Sequence, residues 1–167
     1  MGKELHAACP LAENSKGGQA ARTCRLSLNG VSVRLANGHL LGVGHIHRGY
    51  GDTLRGKPLA RNLTYFAHHY THYFYLQEPD PPAFRVRKLG SEFCIGTERG
   101  LNSFVDCEVV QYVTGLVLRE GVLTLAYGVN DCMSKMVDFR LSDVLDDLKP
   151  PDRRIAANIT AMARSTG

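Results

Sequence analysis

The sequence predicts an all-β fold, and three observations carry that prediction. Apolar and polar residues alternate in short runs such as Val31-Ser32-Val33-Arg34-Leu35 and Phe84-Arg85-Val86-Arg87, the spacing that sends successive side chains to opposite faces of a strand. Turn signals separate the runs: Asn37-Gly38, the prolines at 79, 81 and 82, and Arg119-Glu120-Gly121. Helical spacing occurs clearly only over residues 141–148. Short strands at close spacing suit a sandwich, a barrel or a propeller.

Each element follows from its residues. Residues 1–22 are small, polar and without period, and read as a flexible lead-in. Residues 31–35 and 40–47 flank Asn37-Gly38, a hairpin signal because both residues tolerate positive φ. A glycine-bearing stretch from Gly49 to Asn62 reads as a long loop. Tyr65 to Gln77, dense in aromatic residues and histidines, reads as a strand by propensity, and Phe84–Arg87 as the next. Phe93-Cys94-Ile95 is a short edge piece. Residues 107–118, 122–127 and 132–139 form a meander, its last two strands joined by the Gly128–Asp131 corner. Ser142 is placed to cap a short helix with Leu141, Val144, Leu145 and Leu148 on one face. Pro150-Pro151 stops it, and residues 154–163 could hold a weak second helix.

Composition narrows the function classes. A chain of 167 residues, 44% hydrophobic and 22% charged, is long enough to bury a core and too apolar for disorder. The net charge of +4 is spread along the chain, so nucleic acid is not an expected partner; Arg85, Arg87 and Lys88 read as a solvated strand face. No run reaches the ~20 apolar residues of a membrane span, and the start lacks a signal peptide's apolar centre. A reducing compartment, the cytoplasm by default, is expected. The five cysteines are odd in number and lack a CxxC pair, which argues against a disulfide framework or a zinc ribbon. Cys94, Cys107 and Cys132 adjoin apolar runs and read as buried, inert thiols. No nucleophile elbow or phosphate-cradling glycine loop is present.

Candidate function lies at two strand tips. Leu40 to Arg48 and Leu123 to Cys132 are apolar runs that end in polar residues, and strand ends of this kind place side chains at solvent on a rigid backbone. Val43, His45 and His47 share a face, as do Leu125, Tyr127, Val129 and, if the strand continues, Asp131. The candidate binding residues are therefore His45, His47, Tyr127, Asn130 and Asp131. A carboxylate or amide can engage a polar ligand twice, while Tyr127 or Tyr73 offers it a flat apolar face. Two other readings stand beside this one. Asn130-Asp131 is also good turn chemistry. His45-x-His47, with His68, His69 and His72 nearby, could hold a metal as in cupin-like barrels, but Asp52 is awkwardly placed for the acidic ligand, so no metal or other cofactor is assigned.

Four segments carry a family resemblance: Asn37 to His45, His69 to Tyr75, Val110 to Leu116, and Ala126-Tyr127-Gly128-Val129-Asn130-Asp131. In their order they resemble the five-bladed β-propeller family of mannoside phosphorylases and related glycosidases and glycosyltransferases. The resemblance implies a partial propeller of about two to three antiparallel blades over residues 23–149, with 150–167 a C-terminal tail. It implies transfer of a glycosyl unit to phosphate or another acceptor, with His45 at the phosphate or leaving-group side and Asp131 on the sugar. Expected ligands are a sugar or glycoside, phosphate or a sugar nucleotide. A whole propeller of this kind needs on the order of 250–300 residues, and the segment carrying the family's catalytic acid has no counterpart in residues 1–30. The chain therefore reads as a fragment contributing one side of a sugar pocket, with a non-catalytic carbohydrate-binding or assembly module as the alternative. Open strand edges would favour self-association.

Overall fold

The computed structural model describes residues 25–48, 53–54, 57–58, 69–79, 85–96 and 110–151. They build an all-β molecule of antiparallel strands with one short helix. Strands β1 (Arg25–Arg34), β2 (Leu40–Arg48), β5 (His69–Gln77) and β6 (Val86–Leu89) form a sheet in the order β1-β2-β5-β6. Strands β7 (Gln111–Arg119), β8 (Val122–Val129) and β9 (Met133–Arg140) form a second, three-stranded meander. Two minimal strands, β3 (Thr53–Leu54) and β4 (Lys57–Pro58), pair with each other inside the stretch expected to be a loop.

The turns show which residue bears the conformational demand. In the β1–β2 hairpin only Gly38 has positive φ, at 86°. Its N–H bonds the Leu35 carbonyl, and the Leu35 N–H bonds the His39 carbonyl. Asn37 acts instead through its side chain, whose oxygen accepts the His39 N–H at 3.1 Å. The β7–β8 hairpin is tighter: Arg119 pairs with Val122, and Glu120 and Gly121 both take positive φ, as a two-residue turn of matching twist requires.

The two sheets share one core. Leu41, Val43, Phe74 and Leu76 from the first sheet meet Val113, Leu123, Leu125, Tyr127 and Val129 from the second. Alternation is clean on β8, where Leu123, Leu125, Tyr127 and Val129 are buried and the residues between them are not. Phe74 stacks on Phe93 at 5.0 Å between ring centres and meets Phe139 edge-on at 5.4 Å, tying β9 to the four-stranded sheet.

Glycines on β2 solve a packing problem on the other face. Gly42 lies opposite Tyr75 and Gly44 opposite Tyr73, and each tyrosine ring lies over its glycine where a Cβ would sit. The Tyr73 hydroxyl then reaches across β2 to donate to the Ser27 carbonyl at 3.2 Å. This is aromatic cover for a strand glycine.

Helix α1 (Leu141–Asp147) follows β9 directly. Its N-cap is Arg140, with no side-chain cap bond; Ser142, expected to cap, lies inside the helix and bonds Asp143. The start is held instead by the Leu141 N–H, which donates to the Gly121 carbonyl at 2.8 Å. Val144 and Leu148 are buried in the core and Leu141 and Leu145 pack against it, the face the spacing predicts.

Past the helix, Lys149 exchanges two backbone hydrogen bonds with Leu89 at 2.8 and 2.9 Å, covering the outer edge of β6. Asp147 reinforces this contact by accepting from the Ser91 N–H at 2.5 Å and the Ser91 hydroxyl at 2.7 Å. Asp147→Ala should therefore cost about 2–3 kcal/mol, since hydrogen bonds to a charged acceptor carry more than neutral ones. Asp147→Asn should recover part of it. Chemical denaturation midpoints of the three proteins check this.

Several sequence expectations shift by a few residues. The strand expected over 65–77 is described from His69, residues 65–68 lying outside the described residues. The strand expected at 84–87 runs Val86–Leu89; Phe84 lies outside the described residues. Phe93 forms one bridge, to His72, rather than a strand. The helix expected over 154–163 also falls outside. The cysteine reading needs correction: Cys94 is disulfide-bonded, its partner lying outside the described residues, and Cys132 is exposed rather than buried.

Candidate functional site

The antiparallel register of β2 and β5 sorts one sheet face into a gradient. Leu41 pairs with Leu76 and Val43 with Phe74, then His45 with His72 and His47 with Tyr70. Residues directly opposite in such a ladder share a face. The face thus passes from buried aliphatic and aromatic residues to imidazoles and a phenol at the end of the strands.

Asn29 joins this face to the second sheet. It sits in a bulge of β1, where residues 29–31 oppose the single Val43 between the Leu28–Gly44 and Ser32–Gly42 pairs. A bulge re-aims a side chain. Here the Asn29 amide, 2% exposed, donates through Nδ2 to the Val113 carbonyl on β7 at 2.8 Å and receives His45 Nδ1 on Oδ1 at 2.5 Å. Val113 is followed by a register shift before Gly115, so irregularities on two strands meet at this link.

Around His45 the rings form a wall. Tyr112 lies 5.1 Å and Tyr70 5.8 Å from it, both tilted. His47 stacks on Tyr70 at 4.8 Å and 20°, while Tyr70 and Tyr112 meet edge-on at 6.3 Å. Tyr112 is 41% exposed, so the wall opens to solvent. Burial, then the charge of Asp131, then Tyr112 raise the Tyr70 pKa above a phenol's ordinary value. The Asp131 carboxylate is therefore near enough for its charge to be felt at Tyr70. Burial first, and His47 second, lower the His45 pKa, which favours the neutral imidazole.

Behind this mouth, His72 is fully buried. Neither ring nitrogen has a hydrogen bond of good geometry among the described residues. Burial, then His45, press its pKa down to about 3, against a smaller opposing influence of the Gly44 backbone. On the opposite face the buried Thr71 hydroxyl donates to the buried Glu92 carboxylate.

The sequence candidates separate as follows. The rings of His45 and His47 pack against Tyr70, and Asp131 acts on it through its charge. Asn130 and Asp131 form the β8–β9 turn with φ of 51° and 54°, closed by the Cys132 N–H on the Val129 carbonyl. The Asn130 N–H is held by the Val110 carbonyl at 2.8 Å. Tyr127, expected at the mouth, is only 5% exposed and belongs to the core, because it shares the inward face of β8 with Leu125 and Val129. Tyr73, the other candidate aromatic wall, is buried on the reverse face over Gly44. Among the described residues no three histidine, cysteine or acidic side chains converge to hold a metal, and His68 and Asp52 lie outside them.

Tyr70, Tyr112 and Asn29 were not singled out. Tyr70 had a signal, since it alternates with His72 toward one side of its strand. Asn29-Gly30 had another: a polar residue and a glycine inside a strand run mark a bulge. Tyr112 had none.

No protein-family model matches the chain, and comparison with curated proteins and with solved structures returns no match.

Proposed function

We propose that the mouth formed by His45, His47, Tyr70, Tyr112 and Asp131 binds a carbohydrate, in a chain of propeller type that serves glycosyl transfer. The observation that carries the reading is the partly exposed ring cluster, drawn from both sheets, with a carboxylate beside it. Phenol faces cover the apolar side of a pyranose while a carboxylate takes adjacent hydroxyls, and such mixed lining is what small-molecule sites use for affinity and orientation. Tyr70 and Tyr112 take the role expected of Tyr127. Asp131 orients the sugar and His45 meets the acceptor. The reading rests on motif order and on this geometry; the two sheets would be neighbouring blades.

Titration with mannose-containing disaccharides, followed by calorimetry, tests it. Binding should weaken at least about tenfold, about 1.4 kcal/mol, in Tyr112→Ala and in Asp131→Ala. No saccharide binding by the parent chain, or binding indifferent to both changes, removes the proposal. Saccharide binding without turnover of a glycosyl phosphate would favour the non-catalytic module.

A further inference from the structure

We propose that Asn29 is a positioning residue that fixes the tautomer of His45, so that Nε2 accepts a hydrogen bond from a hydroxyl of a neutral polyol rather than contacting a phosphate. The inference rests on the carbohydrate reading and names the chemistry of the group that meets His45.

The bonds dictate the proton's position. The Val113 carbonyl can only accept, so the Asn29 atom 2.8 Å from it is the amide nitrogen. The other amide atom is then oxygen, which also only accepts. His45 Nδ1, 2.5 Å away, must carry the hydrogen. A neutral imidazole has one N–H, so Nε2 is left with a lone pair. Asn29 is buried and its amide is held at both ends, and this arrangement orients the ring as the outer partner of a ligating or catalytic histidine does.

Burial and His47 press the ring toward its neutral form. His47 lies beside His45 on β2, His72 and Tyr70 face it from β5 and Tyr112 from β7, while Asp131 on the β8–β9 turn acts on Tyr70. On β1 the neighbours of His45 are Ser27 and Asn29, which do not titrate, and Arg25 pairs with His47 in the register. An inorganic phosphate anion offers mostly acceptors and few P–OH donors, so it suits the Nε2 lone pair less well than a neutral hydroxyl does. A sugar hydroxyl donates to Nε2 and can accept from a neighbouring group.

Nitrogen-15 NMR of the histidine-labelled full chain tests the proposal, with His45 assigned by its loss in His45→Gln. The expected result is an Nδ1–H, bare-Nε2 pattern in the free protein at neutral pH. A mannose-containing disaccharide should shift Nε2, and inorganic phosphate should not. Saccharide affinity should fall as His45 protonates at acid pH. Asn29→Asp, which puts a negative charge on Nδ1–H and favours the imidazolium, should move that fall to higher pH. An Nε2–H pattern in the parent chain overturns the inference even if the variant fails to fold. Saccharide binding without an Nε2 response, or an Nε2 shift produced by phosphate, also overturns it while leaving the carbohydrate site standing. Absence of any saccharide binding overturns both.

Discussion

Replacing His72 by leucine is expected to flatten the acid limb of the stability curve by about 1.4 kcal/mol per pH unit. His72 is held neutral in the folded chain down to about pH 3, whereas an unfolded histidine takes a proton near pH 6.5. Between those values the unfolded chain binds a proton that the folded one refuses, so stability falls as pH falls. The contribution is fully present above about pH 6.5, and its loss approaches 4–5 kcal/mol by about pH 3. Leucine has no such proton. At neutral pH His72→Leu should be as stable as the parent or slightly more so, because it removes two buried nitrogens that make no good hydrogen bond among the described residues. Urea melts across the range from neutral to acid pH measure the slope directly. An unchanged slope would show that the ring is protonated inside the fold.

Gly44→Ala should be the most damaging single-methyl change in the first sheet. The added Cβ would fall within the Tyr73 ring and 2.7 Å from the Ser27 carbonyl oxygen. Tyr73 is 1% exposed and its hydroxyl bonds that same carbonyl, so the ring cannot swing away without breaking the β1 link. Overpacking of this kind costs about 1–3 kcal/mol, and the lost hydrogen bond adds about 1 kcal/mol. The cause is separable by a double-mutant cycle. Tyr73→Leu clears the space, so Gly44→Ala should cost much less in that background, with a coupling of about 1–3 kcal/mol. Additive effects would mean that β1, not the tyrosine, sets the limit.

Local chemistry made the strands legible and left their juxtaposition hidden. Period-two alternation reveals that Val43, His45 and His47 share a face, and the β2–β5 register places Tyr70 beside His47. Alternation also groups Tyr127 with Asp131, yet it says nothing of which face is covered. Tyr127 follows Leu125 inward, while positive φ at Asn130 and Asp131 ends the strand's alternation before Asp131 is reached. The site's remaining wall depends on contact between the sheets. Tyr112 belongs to β7, and what brings it to His45 is a bulge at Asn29, eighty-four residues from the Val113 carbonyl that Asn29 holds. Periodicity carries no information across such a separation. The disulfide at Cys94 escaped for a related reason, since cysteine spacing alone does not report proximity.

The bridge between Leu89 and Lys149 has a bearing on biosynthesis. During translation β6 emerges with its outer backbone groups unsatisfied, and the segment that will cover them is made only after the whole second meander and helix. Until then a nascent intermediate carries an open strand edge, the kind of surface that pairs with other chains.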